Sequence, residues 1–126
     1  MLEASVAGAE EELATPSGLT PPAEVEAYLD ALVRFLAHSA AGAAYRTLLG
    51  AAQHDPAVKQ LIASHDVLGA SARAVIERIA PGVESSEMEA ARLIGPAFFW
   101  IMSGRDPAGL DPGDLAQDFM LSARAQ

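Results

Sequence analysis

The stretch RLIGPAFFWIMSG, Arg92 to Gly104, decides how the chain is read. It reads as a helix, yet it is apolar on nearly every side and carries a proline in its middle. At about 100° per residue, Leu93, Ala97, Ala90, Ile101, Ile94, Phe98, Ala91, Met102 and Gly95 follow one another around a wide arc. Trp100 extends that arc on one side and Phe99 on the other, and only Arg92, Pro96, Ser103 and Glu89 fill the gap. A helix on the surface of a small domain needs an apolar stripe only somewhat wider than ~100°. Two coverings are available: a central place in its own bundle, or one side turned inward and the other against a second copy. Phe99 and Trp100 flank the Pro96/Ser103 side, and an exposed aromatic pair beside a proline bend forms a sticky patch. The pattern favours self-association.

Working outward, the rest of the chain punctuates as helices. A length of 126 residues suits one core, and half the composition is hydrophobic with alanine prominent, which favours helix over sheet. Residues 1–19 read as an N-terminal arm and linker: a weak helix with Leu2, Val6 and Leu13 near one side, then TPSGLTPP as a breaker. The domain proper spans 20–126. Thr20 is placed to cap a first helix, with Pro21 or Pro22 in its first turn and Glu24 favouring its positive end. Val25, Tyr28, Leu29, Leu32, Val33 and Leu36 share its apolar face, with Phe35 at the edge. Glu26, Asp30, Arg34 and His38 line the solvated side. SAAGAA reads as an interruption, followed by a short helix to about Gln53. Asp55 and Pro56 open a third helix expected to run to about Ala80, with Val58, Leu61, Ile62, Leu68, Ala72, Val75, Ile76 and Ile79 as its stripe. Ser86 and Glu89 have the spacing of a capping box for the fourth helix. Asp111 and Pro112 open a fifth, carrying Leu115, Ala116, Phe119, Met120 and Ala123. The expected fold is an all-α, five-helix bundle.

Charge and composition exclude several functions. Seventeen acidic residues against eight basic ones give a net charge of −9, and such a chain repels the phosphates on which DNA affinity rests. The absence of cysteine rules out disulfides and thiolate metal sites and suits a reducing cytoplasm. No apolar run reaches the ~20 residues of a membrane span, and the acidic start does not resemble a signal peptide. The expected location is cytoplasmic, with no membrane partner. His54 and His65 each precede an aspartate, but adjacent residues on a helix diverge by about 100°, so neither pair chelates. No metal, no cofactor and no catalytic set is expected, so the chain does not read as an enzyme.

His65 differs from the other histidines because it falls in the middle of the apolar stripe of the third helix. Either it is a core histidine satisfied by one hydrogen bond, or it is a polar anchor in an apolar cavity. Tyr45 has the same two readings. As a ligand pocket, His65 and Tyr45 would be bounded by Leu32, Phe35, Leu68 and Phe98. Opposite the core side of the fourth helix, Pro96, Phe99, Trp100 and Ser103 follow i, i+3, i+4 and i+7. They are the candidate interface of a two-fold homodimer, meeting Gln117 and Leu121 of the copy's last helix.

In order and at this spacing, RTLLGAAQHDPAV, a long helix ending near VIERI, and EAARLIGPAFFWIMSGRDP with a closing short helix resemble the C-terminal regulatory domain of TetR-type transcriptional regulators. The resemblance covers residues 24–124 and rests on the DP helix start, the GP followed by two aromatics, and the G-x-x-P after that helix. It implies a helical domain that binds a small apolar effector, pairs as a homodimer, and leaves DNA to an N-terminal helix-turn-helix. That head is missing from the chain, so the expectation is a truncated or stand-alone regulatory domain. Trp100 departs from the family, where a polar or basic residue often follows the aromatic pair. The alternative is a stand-alone helical protein that binds a small molecule or forms mixed dimers without touching DNA.

Overall fold

Prolines and short side chains with an oxygen set where the helices start. The computed structural model describes residues 8–81 and 87–124. From Pro21 onward it holds six helices: α1 (Pro21–His38), α2 (Ala40–Ala52), α3 (Pro56–Ser64), α4 (Val67–Ile79), α5 (Glu87–Met102) and α6 (Pro112–Arg124). A 3-10 turn lies at Pro107–Gly109, and residues 8–12 form a short helical piece upstream. Among the described residues there is no strand, and no helix is long and apolar enough to cross a membrane.

Pro21 sits in the first turn of α1, where its missing N–H costs nothing. Thr20 takes the cap position, though its hydroxyl closes no cap bond. Ser39 serves two helices at once: its hydroxyl donates to the Phe35 carbonyl at 2.8 Å and accepts from the Gly42 N–H at 2.9 Å. SAAGAA is therefore the first turn of α2. At Gly42 the two helices come so close that a Cβ would collide with the Phe35 carbonyl oxygen, an approach only glycine allows. Asp55 caps α3 by accepting from the N–H groups of Ala57 and Val58 at 2.9 and 3.4 Å. Asp111 caps α6 in the same way through Gly113 at 2.9 Å. The proposed partnership of Ser86 with Glu89 lies outside the described residues on the serine side; Glu89 accepts from Arg92 at 2.7 Å. Leu2 and Val6 also lie outside them.

The expected third helix is in fact two. At His65 the backbone leaves the helix (φ −127°, ψ 61°), and Asp66 caps a new one by accepting from the Gly69 N–H at 3.0 Å. Among the described residues from Pro21 onward there are six helices where the pattern predicts five. The apolar spacing continues unbroken across the break, so periodicity hides it. An aspartate that satisfies the donors of a fresh helix end competes with continuation of the old one. The break also splits the stripe. Leu68, Ala72, Val75 and Ile76 are buried, whereas Val58 and Ile62 are only half-buried and Leu61 is exposed.

The core lies between α1, α4, α5 and α6. Tyr28, Leu29, Leu32, Phe35 and Leu36 of α1 are almost wholly buried, against Val75 of α4, Leu93 and Ala97 of α5, and Phe119 of α6. Each large apolar side chain so buried contributes roughly 1.5–3 kcal/mol. Ala9 and Leu13 from the N-terminal piece join this core. The polar row of α1 is exposed, with Asp30 and Arg34 paired at 3.0 Å. On α5 the inward side takes Ala90, Leu93, Ile94, Ala97 and Ile101. Its other side keeps Met88 and Phe99 exposed at 66% and 63%. Met88, Ala91, Gly95, Phe99 and Met102 recur at helical spacing along that outward face, so the bundle does not cover α5 by itself.

Candidate functional site

Where α1, α2 and α3 meet the break before α4, side chains leave a hollow of about 70 Å³. Phe35 of α1, Ala41, Ala44, Tyr45 and Leu48 of α2, Leu61 and Ile62 of α3, and His65 and Val67 at the break line it, with Ala9 on the N-terminal side. A single water needs about 10–15 Å³ on this kind of measure, so the hollow holds more than one. No Asp, Glu, Lys or Arg lines it.

The hollow brings together three of the six residues expected to form a pocket: Phe35, Tyr45 and His65. Leu68 and Phe98 line a separate open cleft of about 330 Å³ between α2, α4 and α5. Leu32 borders neither. It faces the α1 core and is fully buried, because a helical wheel places residues on a side without saying whether that side meets a void or a neighbour. Tyr45 is the one expected pocket residue that lines both the hollow and the cleft.

Tyr45 packs its ring at a tilt on Phe35, centroids 6.1 Å apart. Burial, with a smaller push from the Asp66 carboxylate, raises its phenol to about 12. No described residue hydrogen-bonds its hydroxyl. Tyr28 gives the contrast: its hydroxyl lies 2.7 Å from the Ser71 hydroxyl and donates to the Leu68 carbonyl at 3.4 Å. Burial raises that phenol to about 12 as well. His65 is not mid-helix as the pattern predicted but ends α3, half-buried, facing the hollow and a neighbouring groove lined by Leu13, Asp66 and Arg78. His54 stands in the exposed turn before α3. Among the described residues no cluster of His, Cys, Asp or Glu is suited to hold a metal ion.

The sequence reading missed one polar cluster. The Glu24 carboxylate is almost wholly buried and accepts from Arg78 Nε at 2.5 Å and from the Thr15 hydroxyl at 3.0 Å. Arg78 also donates to Thr15 at 3.2 Å. The three residues tie the N-terminal arm to the start of α1 and the end of α4. An acidic residue in a first turn is visible in the sequence, but its basic partner lies 54 positions away and leaves no local signal.

The residues expected at a dimer interface all lie at or near the surface, with unequal freedom. Pro96, Phe99 and Ser103 are exposed. Trp100 is half-buried: its indole N–H donates to the Asp106 carbonyl at 2.7 Å, and its ring lies where a Cβ on Gly109 would come. The Arg105 guanidinium sits 5.1 Å from the Phe99 ring centre and 5.6 Å from that of Trp100. Gln117 and Leu121 are exposed beside a groove formed with Thr20, Pro22 and Glu26 at the start of α1. α6 packs mainly on α1 and touches α5 only lightly. Compared with known families, curated proteins and solved structures, the chain matches none.

Proposed function

We propose that this chain is a regulatory domain of the TetR type, a cytoplasmic helical module that binds a small apolar effector and pairs with a second copy. The observation that carries the reading is the hollow, mostly apolar in its walls and offering the polar tips of Tyr45 and His65 where α3 gives way to α4. Sites for small molecules have this composition, mostly apolar walls with a few placed polar groups. A ligand that fits one arrangement of α3 against α4 better than another shifts the population between them, and that shift is what a regulator transmits. The exposed apolar side of α5 supports pairing, since an isologous contact lets one stripe cover itself. The net charge of −9 supports a domain that does not itself grip DNA.

Two measurements test this. A thermal-shift screen of small apolar compounds is expected to give hits that raise the melting temperature by mass action, and Ala44→Phe, which fills the hollow, is expected to abolish them. Sedimentation at tens of micromolar is expected to show a dimer that Phe99→Glu converts to a folded monomer. Phe99 is the sharper probe, since Trp100 also holds its own turn together. A library without a hit removes the effector, and a monomeric wild type removes the pairing.

A further inference from the structure

We infer that the hollow and the α2–α4–α5 cleft are two compartments of one site divided by the Tyr45 ring, and that this site takes a neutral aliphatic ketone or similar carbonyl compound of medium length, its oxygen accepting from the Tyr45 hydroxyl. The inference rests on the small-molecule reading above and specifies its ligand.

Three observations carry it. First, Tyr45 lines both spaces and is the residue they share, so it stands at their boundary. It is half-buried, and α2 has no fully buried side chain besides the Gly42 position, so a turn of the ring disturbs little beyond its contact with Phe35. Second, its hydroxyl bonds no described residue and is open to solvent, so a ligand oxygen can take the place of water there. Burial keeps it protonated, and therefore a donor, throughout the physiological range. Third, the volumes set the length. About 70 Å³ is less than half of the ~150 Å³ known to admit benzene, so the hollow holds only a few atoms, while the cleft has about 330 Å³ beyond the ring.

Charge selects against the other candidates. Asp66 and Glu87 stand at the cleft, and the Asp66 field already reaches the Tyr45 hydroxyl. A carboxylate bound there meets that field, and Arg73, the base at the cleft, already faces Asp66 at 3.7 Å. A cation gains no carboxylate inside the hollow and loses its hydration. An alkane leaves the hydroxyl unpaired. A carbonyl satisfies it, and an alkyl chain covers Leu49, Ile94 and Phe98.

The experiment is a titration followed by backbone amide NMR, using the ketones 2-butanone to 2-decanone with octanoate as the anionic control. Affinity is expected to rise about fourfold per added methylene up to 2-octanone, as burial of each CH₂ implies. Octanoate should bind at least tenfold more weakly. Tyr45→Phe keeps the ring and should weaken 2-octanone about fivefold, the loss of one hydrogen bond. Gly95→Leu projects into the cleft from a position where a Cβ meets nothing within 4 Å, so the variant folds. It should remove the gain beyond 2-pentanone. Octanoate binding as tightly as 2-octanone, or an unchanged affinity in Tyr45→Phe, overturns the ketone assignment. An unchanged length dependence in Gly95→Leu overturns the two compartments. Benzene shifting the amides of Ala44 and Leu48 while every ketone fails overturns the ligand class and leaves the small-molecule reading standing.

Discussion

Helix α1 buries seven apolar side chains among α4, α5 and α6, whereas α2 buries only Gly42 and α3 nothing. Each region holds one tyrosine. Tyr28 lies in the first, enclosed and bonded to Ser71 and Leu68; Tyr45 lies in the second, half-buried with its hydroxyl free of described partners. The difference teaches where stability and adaptability sit in a small bundle. Close packing and paired polar groups hold one arrangement. A helix pair that leans on the core through half-buried side chains can shift without loss of the fold, and the hollow lies under that pair.

Truncation on the two sides should show this difference most plainly. Leu32→Ala in the packed half is expected to cost about 3 kcal/mol, the transfer term plus the cavity left behind. Leu61→Ala, at an exposed position of α3, should cost under about 1 kcal/mol. Urea unfolding of both variants measures the gap, and equal costs would mean that α3 belongs to the core after all. Arg78→Ala comes next, with an expected loss of about 1–2 kcal/mol. It strands the buried Glu24 carboxylate, though the guanidinium is itself half-exposed and the loss is reduced accordingly. Glu24→Gln with Arg78→Ala should recover part of it, which a double-mutant cycle reads directly.

The effect of the tyrosines is absent at neutral pH and appears only in alkali. Both phenols are raised by burial from 10 to about 12. The folded chain therefore holds these protons more tightly than the unfolded chain does. Their contribution to stability is complete below pH 10 and is lost as pH rises toward 12. Ultraviolet titration of phenolate should give no ordinary tyrosine step near pH 10. A phenol titrating near 10 in wild type but not in Tyr45→Phe would show that the α2 side stands more open to water than its burial implies.

Much of the architecture was legible because its signals are local. The starts at Pro21, Pro56 and Pro112 follow from proline and aspartate chemistry read over three or four residues. The side of α1 that is buried follows from spacing alone. The break at His65 was not legible: the same His–Asp pair that announces α3 at 54–55 recurs without a following proline, and the apolar period runs straight through it. The site was partly legible. Tyr45 and His65 stand out in the sequence because polar tips interrupt apolar stripes, and the fold sets both beside Phe35 at one hollow. Leu32 was misplaced because packing, not pattern, separates a wall from a core. Glu24 and Arg78 needed the folded chain to meet.

The stripe Met88, Ala91, Gly95, Phe99 and Met102 and the arm tied by Thr15 lie on different elements, and α3 borders the hollow beside Ala9 of the arm. Because α3 buries nothing, the fold constrains its sequence little beyond the cap at Asp55. Leu61 and Ile62 reach the hollow from this helix. Exchanging either side chain would therefore reshape the hollow at little cost to the fold. The helix that contributes least to holding the molecule together is the one whose side chains can be exchanged at the lowest risk of misfolding.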